Sequence, residues 1–416
     1  MEQIENNFLE KVILVGVSTD DGDDTADSIE ELKELVKTAH AQCVGIVIQN
    51  REAVHPGTYV GKGKIDEIKE LLYETHATGI VCDDELTPAQ LKNLQDQLDT
   101  KVMDRTLVIL DIFAERATTS EGKIQVELAQ LRYRLSRLSG LGTSLSRLGG
   151  GIGTRGPGEK KLESDRRHIR SRISQLKAEL EDVKRHREVT RVQRSRSHTK
   201  VAAIVGYTNA GKSTLLNMLT NAQVLEEDKL FATLDPTTRA LVLPSGQEIM
   251  LTDTVGFIRK LPHHLIEAFR STLEEAKYAD YIIHVVDASN PQKDKQMHIV
   301  YETLHDLGVS DKKTITLFNK MDQVTEKEVY KDLHADHTLL TQIKHGIGLE
   351  ELKCLLEEVL REEKRYLSMT VPYAQAGQIH QIRKYGELLN EEYKEDGIAI
   401  EAYVPVEIYF ALSKNR

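Results

Sequence analysis

One segment constrains the fold of this chain more than any other. Gly206-Tyr207-Thr208-Asn209-Ala210-Gly211-Lys212-Ser213 matches G-x-x-x-x-G-K-S, comes after the apolar run Val201–Val205 and precedes a helical run, Thr214–Leu219. Strand, glycine turn and helix in that order make a phosphate cradle. The glycines let backbone N–H groups face the phosphates, and the helix N-terminus adds a favourable dipole. Lys212 is placed to reach the β- and γ-phosphates and the Ser213 hydroxyl to ligate Mg²⁺, with Thr214 opening the helix. Eight residues alone leave ATP and GTP both open.

Three further segments narrow the choice. The strand Ile249–Leu251 leads to Asp253-Thr254-Val255-Gly256, where the carboxylate can hold Mg²⁺ through a water and the Gly256 N–H can meet the γ-phosphate. The strand Thr314–Phe318 leads to Asn319-Lys320-Met321-Asp322. The Asp322 carboxylate can accept from guanine N1–H and the 2-amino group, which adenine does not offer; such a match is worth roughly 1–3 kcal/mol. Between the first two motifs, Phe231-Ala232-Thr233-Leu234-Asp235 lies where a phosphate-sensing switch belongs, with Thr233 a second Mg²⁺ ligand. Alone, each fragment reads equally as a capping serine, a strand-end aspartate or an Asn-Lys turn. All four in this order point to GTP and GDP, with Lys212, Thr233 and Gly256 acting on the γ-phosphate.

The residue after the second motif matters too. Phe257 stands where many such sites place a Gln that orients the attacking water. Phenylalanine cannot do that, so intrinsic hydrolysis is expected to be slow, and a partner, a cation or a water network must complete the site. Asn209 stands where cation-dependent GTPases keep an Asn, which makes K⁺ a candidate beside Mg²⁺. A purely loop-shaping Asn is the equal alternative.

Charge then organises the rest. The 416 residues carry a net −11, yet Arg132 to Lys200 holds 19 Lys and Arg against 7 Asp and Glu, so a segment of +12 is set in a remainder of −23. Such asymmetry suggests a polyanion-binding segment in an acidic protein. Within it, Ile124, Leu128, Leu131, Leu135 and Leu138 form one helical seam, and Leu162, Ile169, Leu176 and Val183 repeat every seven residues. These read as an antiparallel hairpin whose linker, Gly140 to Gly158, holds eight glycines and is expected to be non-helical and flexible. Arg147 and Arg155 at this tip, with Lys160, Lys161, Arg166 and Arg167 on the returning helix, are the candidate RNA contacts.

The expected architecture is a multi-domain α/β protein: an N-terminal α/β domain over 1–120, a helical arm over 121–198, a P-loop domain over 199–365 and a small α/β domain over 366–416. In the first, Val12–Val17, Val44–Ile48 and Gly79–Cys82 read as strands and Lys64–Glu74 as a helix. Ser28 and Glu31 have capping-box spacing at the start of another helix, and Thr87-Pro88 opens a further one. Three scattered cysteines fit neither a disulfide framework nor a metal cluster, and no apolar run is long enough to span a bilayer. The expectation is a cytoplasmic monomer, with peripheral membrane association left open.

With these motifs in hand, the chain resembles the HflX family of translational GTPases over nearly its whole length. The resemblance rests on Gly57-Thr58-Tyr59-Val60-Gly61-Lys62-Gly63-Lys64, on the glycine-rich string from Arg147 to Glu159, on Phe231 to Arg239, and on Phe257. It implies binding to the large (50S) ribosomal subunit and its 23S rRNA, ribosome-stimulated GTP hydrolysis, and splitting of 70S ribosomes or blocked subunit association under stress. The base-contacting loop departs from the usual Ser-Ala: Gln342, Ile343 and Lys344 stand there, and Asp322 is left to preserve the choice of guanine. Two rivals stand beside this reading. One is a nucleotide-driven, helicase-like RNA-remodelling enzyme using an ATP site at Val60–Lys64; the other is a switch whose arm binds a protein.

Overall fold

The computed structural model describes residues 10–19, 24–145, 157–195, 199–220, 230–231, 233–262, 265, 275–309, 311–324 and 329–413. Its chain divides into two compact units. The first is Met1–Lys184 with Asp228–Leu234 and Arg259–Arg270; the second is Arg185–Glu227, Asp235–Ile258 and Ser271–Arg416.

The first unit opens with β1 (Glu10–Ser18), α1 (Thr25–Thr38), β2 (Ala41–Asn50), α2 (Lys62–Thr75), β3 (Gly79–Cys82), α3 (Pro88–Leu98), β4 (Lys101–Asp104) and α4 (Arg105–Arg116). Its sheet runs β2-β1-β3-β4, all parallel. A parallel strand covered on both faces must be apolar throughout, and β1 is buried from Val12 to Val17. Thr87 caps α3 in a full capping box with Gln90, Pro88 taking the first helical position. The Ser28–Glu31 box does not form. Helix α1 starts three residues earlier, after Asp24, whose side chain does not cap the helix and instead accepts from Arg259 Nη1 at 2.8 Å. Ser28 is instead fully buried and accepts from Arg105 Nη1 at 3.2 Å, while Glu31 pairs with the same guanidinium. A buried arginine needs several acceptors, and that demand outranks a local cap. Asp83 gives Arg105 a further partner at 2.8 Å and also accepts from Lys260.

The arm consists of α5 (Ser120–Leu145) and α6 (Pro157–Ser195). Leu128, Leu176 and Leu180 are buried between them, with Ile124, Leu131 and Ile173 alongside. Arg172 is bidentate to Glu127 and Arg166 donates to the Leu138 carbonyl at 2.7 Å, pairings that fix the helices antiparallel. The linker is shorter than the glycine count suggested. Helix α5 runs on through Gly140 and Gly142 to Leu145, and α6 already includes Pro157 and Gly158. Isolated glycines cost a helix only about 1 kcal/mol each, and proline suits a first turn. Residues 146–156, with Arg147 and Arg155, lie outside the described residues.

The second unit holds β5 (Val201–Gly206), α7 (Lys212–Thr220), β6 (Thr237–Val242), β7 (Glu248–Asp253), β8 (Tyr281–Asp287), α8 (Lys293–Asp306), β9 (Lys313–Asn319), β10 (His337–Leu340) and α9 (Leu349–Glu362). The sheet order is β10-β9-β8-β5-β7-β6, parallel except for β6 against β7. One face packs on α7 and α9 through Leu215, Leu216, Leu352 and Leu356. The other carries Val286 and Phe318, with Met297 of α8 packed against them. After it come β11 (Arg365–Val371), α10 (Gly377–Tyr385), β12 (Glu387–Lys394), β13 (Gly397–Val404) and α11 (Val406–Ser413), with a separate antiparallel sheet β11-β13-β12.

Candidate active site

Strands β5, β7 and β9 all end at the same edge of the second sheet, and the loops that leave them carry the motif residues. The phosphate loop leaves β5 at Gly206, whose φ of +150° lies outside what side chains accept; a Cβ there would sit 2.2 Å from the Val285 carbonyl. Gly211, at φ +106°, leaves no room either, its Cβ position being 2.5 Å from Asn319 Nδ2. Asn209 takes a left-handed φ of +61° and is exposed, the backbone state asparagine tolerates best after glycine. Helix α7 starts at Lys212, so the loop ends at a helix N-terminus.

Lys212 is buried, and its Nζ donates to the Tyr207 carbonyl at 2.7 Å. Burial pushes its pKa down to about 8, against an opposing pull from the Asp253 carboxylate. Ser213 Oγ donates to Asp253 Oδ2 at 2.7 Å, and Asp253 is fully buried at the end of β7. One hydroxyl and one carboxylate form a hard oxygen donor set of the kind Mg²⁺ takes together with phosphate oxygens and water. Thr254 is fixed by its Oγ1 donating to the Ile204 carbonyl at 2.7 Å. Gly256 lies against Thr208 and Lys212: a Cβ on it would be 2.8 Å from Thr208 Cγ2 and 3.1 Å from Lys212 Nζ. Phe257 is buried, with its backbone tied to the phosphate loop in both directions, N–H to the Gly206 carbonyl and C=O from the Thr208 N–H. A ring held in the interior cannot orient water.

The base-reading segments converge on Asn319. Its side chain donates to the Ala210 carbonyl at 2.9 Å and accepts from the Ile343 N–H at 3.0 Å. It therefore ties the phosphate loop to the loop of Gln342, Ile343 and Lys344. Ile343 is fully buried in the core, which explains an apolar residue where Ser-Ala is usual, and its N–H is already engaged. Lys320, at φ +62°, pairs with Asp287 at 2.6 Å, and Asp322 stands exposed on the short turn Met321–Gln323. Val255 is buried beside Thr254, and Asp235 leads into β6. Phe231, Thr233 and Leu234 fall in the first unit, where Phe231 packs on Phe113 at 4.7 Å, and Ala232 lies outside the described residues.

Sequence reasoning missed the Asn319 tie and the Thr208 environment, since spacing carries no information on which side chains meet. It also left Val60–Lys64 open as a second nucleotide site. There Gly57 and Thr58 N–H groups both donate to His55 Nδ1, and the Gly61 N–H donates to Gln49 Oε1, just before α2 begins at Lys62. Within Val60–Lys64 the Gly61 N–H is thus engaged inside the protein, and Lys62 opens a helix. On the arm, Arg167 is exposed and Arg166 is half-buried on Leu138; nothing is described of the Lys160 and Lys161 side chains.

A glycine-bounded phosphate loop, a Ser213–Asp253 oxygen pair and the Asn319–Asp322 turn thus follow parallel strands of one sheet, the arrangement of a P-loop GTPase. Three family models cover most of the chain: GTP-binding GTPase N-terminal over residues 26–114, GTP-binding GTPase Middle Region over 116–194, and 50S ribosome-binding GTPase over 201–320. GTPase HflX of Lacrimispora saccharolytica is 68% identical over 406 residues, 98% of this chain and 96% of its own. GTPase HflX of Escherichia coli K12 is 38% identical over 412 residues, 98% of this chain and 96% of its own. The chain belongs to the HflX family of GTPases. A solved GTP-binding protein from Sulfolobus solfataricus, in complex with GDP, is 26% identical with a TM-score of 0.45, covering 84% of this chain and 98% of its own.

Proposed function

We propose that this GTPase docks on the 50S subunit through its basic arm, hydrolyses GTP there, and by docking splits 70S ribosomes or keeps the subunits apart under stress. The observation that carries the reading is the arm itself: its two antiparallel helices hold 16 Lys and Arg against 9 Asp and Glu, a balance of +7 in a chain of net −11. Phosphate neutralisation supplies much of the affinity for RNA, and an acidic remainder favours one docking face over general adhesion. The family models support it, since the one over residues 201–320 is described as a 50S ribosome-binding GTPase.

In this reading Lys212 and the phosphate-loop N–H groups hold the β- and γ-phosphates, Asp322 selects guanine, and Ser213, Thr233 and, through water, Asp253 hold Mg²⁺. The metal neutralises charge on the phosphates. Asn209 is the candidate K⁺ contact. Arg147, Arg155, Lys160, Lys161, Arg166 and Arg167 are the candidate contacts to 23S rRNA. The protein acts in the cytoplasm as a monomer; among the described residues no helix is long and apolar enough to cross a membrane. The paired N–H groups around Val60–Lys64 weigh against an ATP-driven RNA-remodelling enzyme.

The test is co-sedimentation with purified 50S subunits at graded salt, with GDP or a non-hydrolysable GTP analogue. GTP-dependent pelleting that weakens steeply with salt is expected. Equal pelleting in both nucleotide states, or none, would remove the ribosome from the proposal and leave the GTPase.

A further inference from the structure

Several threonine hydroxyls line the nucleotide end of the second unit, and their bonding differs. Thr254 Oγ1 donates to the Ile204 carbonyl, and the Thr238 and Thr252 hydroxyls share a bond at 2.9 Å. Thr208 Oγ1 is buried and makes no hydrogen bond among the described residues. Its backbone is not free to move the side chain elsewhere, because the Thr208 N–H donates to the Phe257 carbonyl at 2.8 Å. A buried hydroxyl without a partner is costly and uncommon, and it invites a ligand as the missing partner.

Its surroundings say which part of the ligand. Thr208 is the third residue of the phosphate loop, and its Cγ2 lies 2.8 Å from the point a Gly256 Cβ would take. Lys212 Nζ lies 3.1 Å from the same point. Lys212 and the Gly256 N–H are the two groups that converge on a γ-phosphate in a site of this class. The Thr208 side chain therefore stands on the γ-phosphate side of the loop, its methyl against Gly256 and its hydroxyl on the same Cβ. Next to it, Phe257 contributes a buried ring where a hydrogen-bonding side chain is usual.

We infer that Thr208 is a catalytic residue: its hydroxyl donates a hydrogen bond to a γ-phosphoryl oxygen, supplying from the phosphate loop a polar contact that position 257 cannot give. In the reaction the water oxygen bonds to the γ-phosphorus as the bond to the β–γ bridging oxygen breaks, and GDP leaves with that electron pair. One water proton stays on the phosphate and the other passes to solvent. Thr208 neither gains nor loses a proton; its bond strengthens as charge spreads over the phosphoryl oxygens.

The test uses the full chain without ribosomes, under single turnover at fixed Mg²⁺ and K⁺. Thr208→Val keeps the shape and removes the hydroxyl; Thr208→Ser keeps the hydroxyl. The inference predicts that Thr208→Val slows hydrolysis about tenfold or more while a fluorescent GDP analogue binds within about threefold of wild type. It also predicts that this variant forms the complex with GDP and aluminium fluoride poorly. Thr208→Ser should restore both rate and complex. Wild-type turnover in Thr208→Val overturns the inference. So does an equal loss in both variants accompanied by weaker GDP binding, because a packing role would produce that pattern.

Discussion

Lys212 carries the clearest pH signature of any single residue. Its ammonium is buried, which lowers its pKa to about 8 from the ordinary 10.5. A bound triphosphate restores the charged form, so GTP binding must take up a proton once the pH exceeds about 8. Affinity should accordingly fall as pH rises through 8, and calorimetry in two buffers of different ionisation enthalpy should show uptake at about pH 8.5 and little at about pH 7. Gly256 tests the geometry instead of the charge. In Gly256→Ala the new Cβ would press on both Thr208 and Lys212 Nζ. Turnover should drop by about two orders of magnitude or more while GDP binding survives, measured on the same preparation. Such residues were legible in part. The motif spacing singled out Lys212, Ser213, Asp253 and Asp322, of which the structure brings Ser213 onto Asp253 and Lys212 beside Gly256. It did not reveal that Asn319 bonds the Ile343 N–H or that Thr208 is buried against Gly256, since those facts depend on how separate loops fold onto each other.

Elements inherit their order from patterns of two kinds, and the pattern decides how well each could be read. Continuous apolar runs such as Val12–Val17 and Val201–Val205 belong to strands covered on both faces, and β1 and β5 extend them by only a residue or two. Helix starts were harder. Thr87 caps as its spacing suggests, but Ser28 is recruited by Arg105, a residue 77 positions away, and no local rule anticipates that. The glycines of the arm misled in the same direction, because isolated glycines cost a helix little and α5 runs through Gly140 and Gly142. Leu176 is fully buried there, so Leu176→Ala should cost about 2–4 kcal/mol locally and raise amide exchange along α5 and α6. Strand β8 holds a different constraint. His284 is buried beside Tyr301 and 3.9 Å from Asp332, and burial lowers its pKa to about 4. Unfolded, it titrates near 6.5, so the unfolded state binds the extra proton and stability is lost as pH falls from 6.5 towards 4. The loss is on the order of 3 kcal/mol at full effect. Urea titrations at about pH 7 and about pH 5 should show a smaller difference in His284→Gln than in wild type.

At the scale of the whole molecule, a GTPase site shares one chain with a cationic hairpin. Phe257 is locked in the interior and cannot position water, and the proposed function therefore expects an outside partner to speed turnover. The arm's charge fits the proposed polyanionic partner, and the family model directs the search to the large ribosomal subunit. Neither half was hidden in the sequence: one shows as ordered motifs, the other as a local excess of Lys and Arg. The most direct measurement is GTP turnover at fixed Mg²⁺, with and without purified 50S subunits, for the full chain and for a deletion of residues 141–158. A site completed by an arm-docked ribosome should show strong stimulation by 50S particles that the deletion reduces. Turnover unchanged by 50S or 70S particles, with GTP still bound, would contradict it.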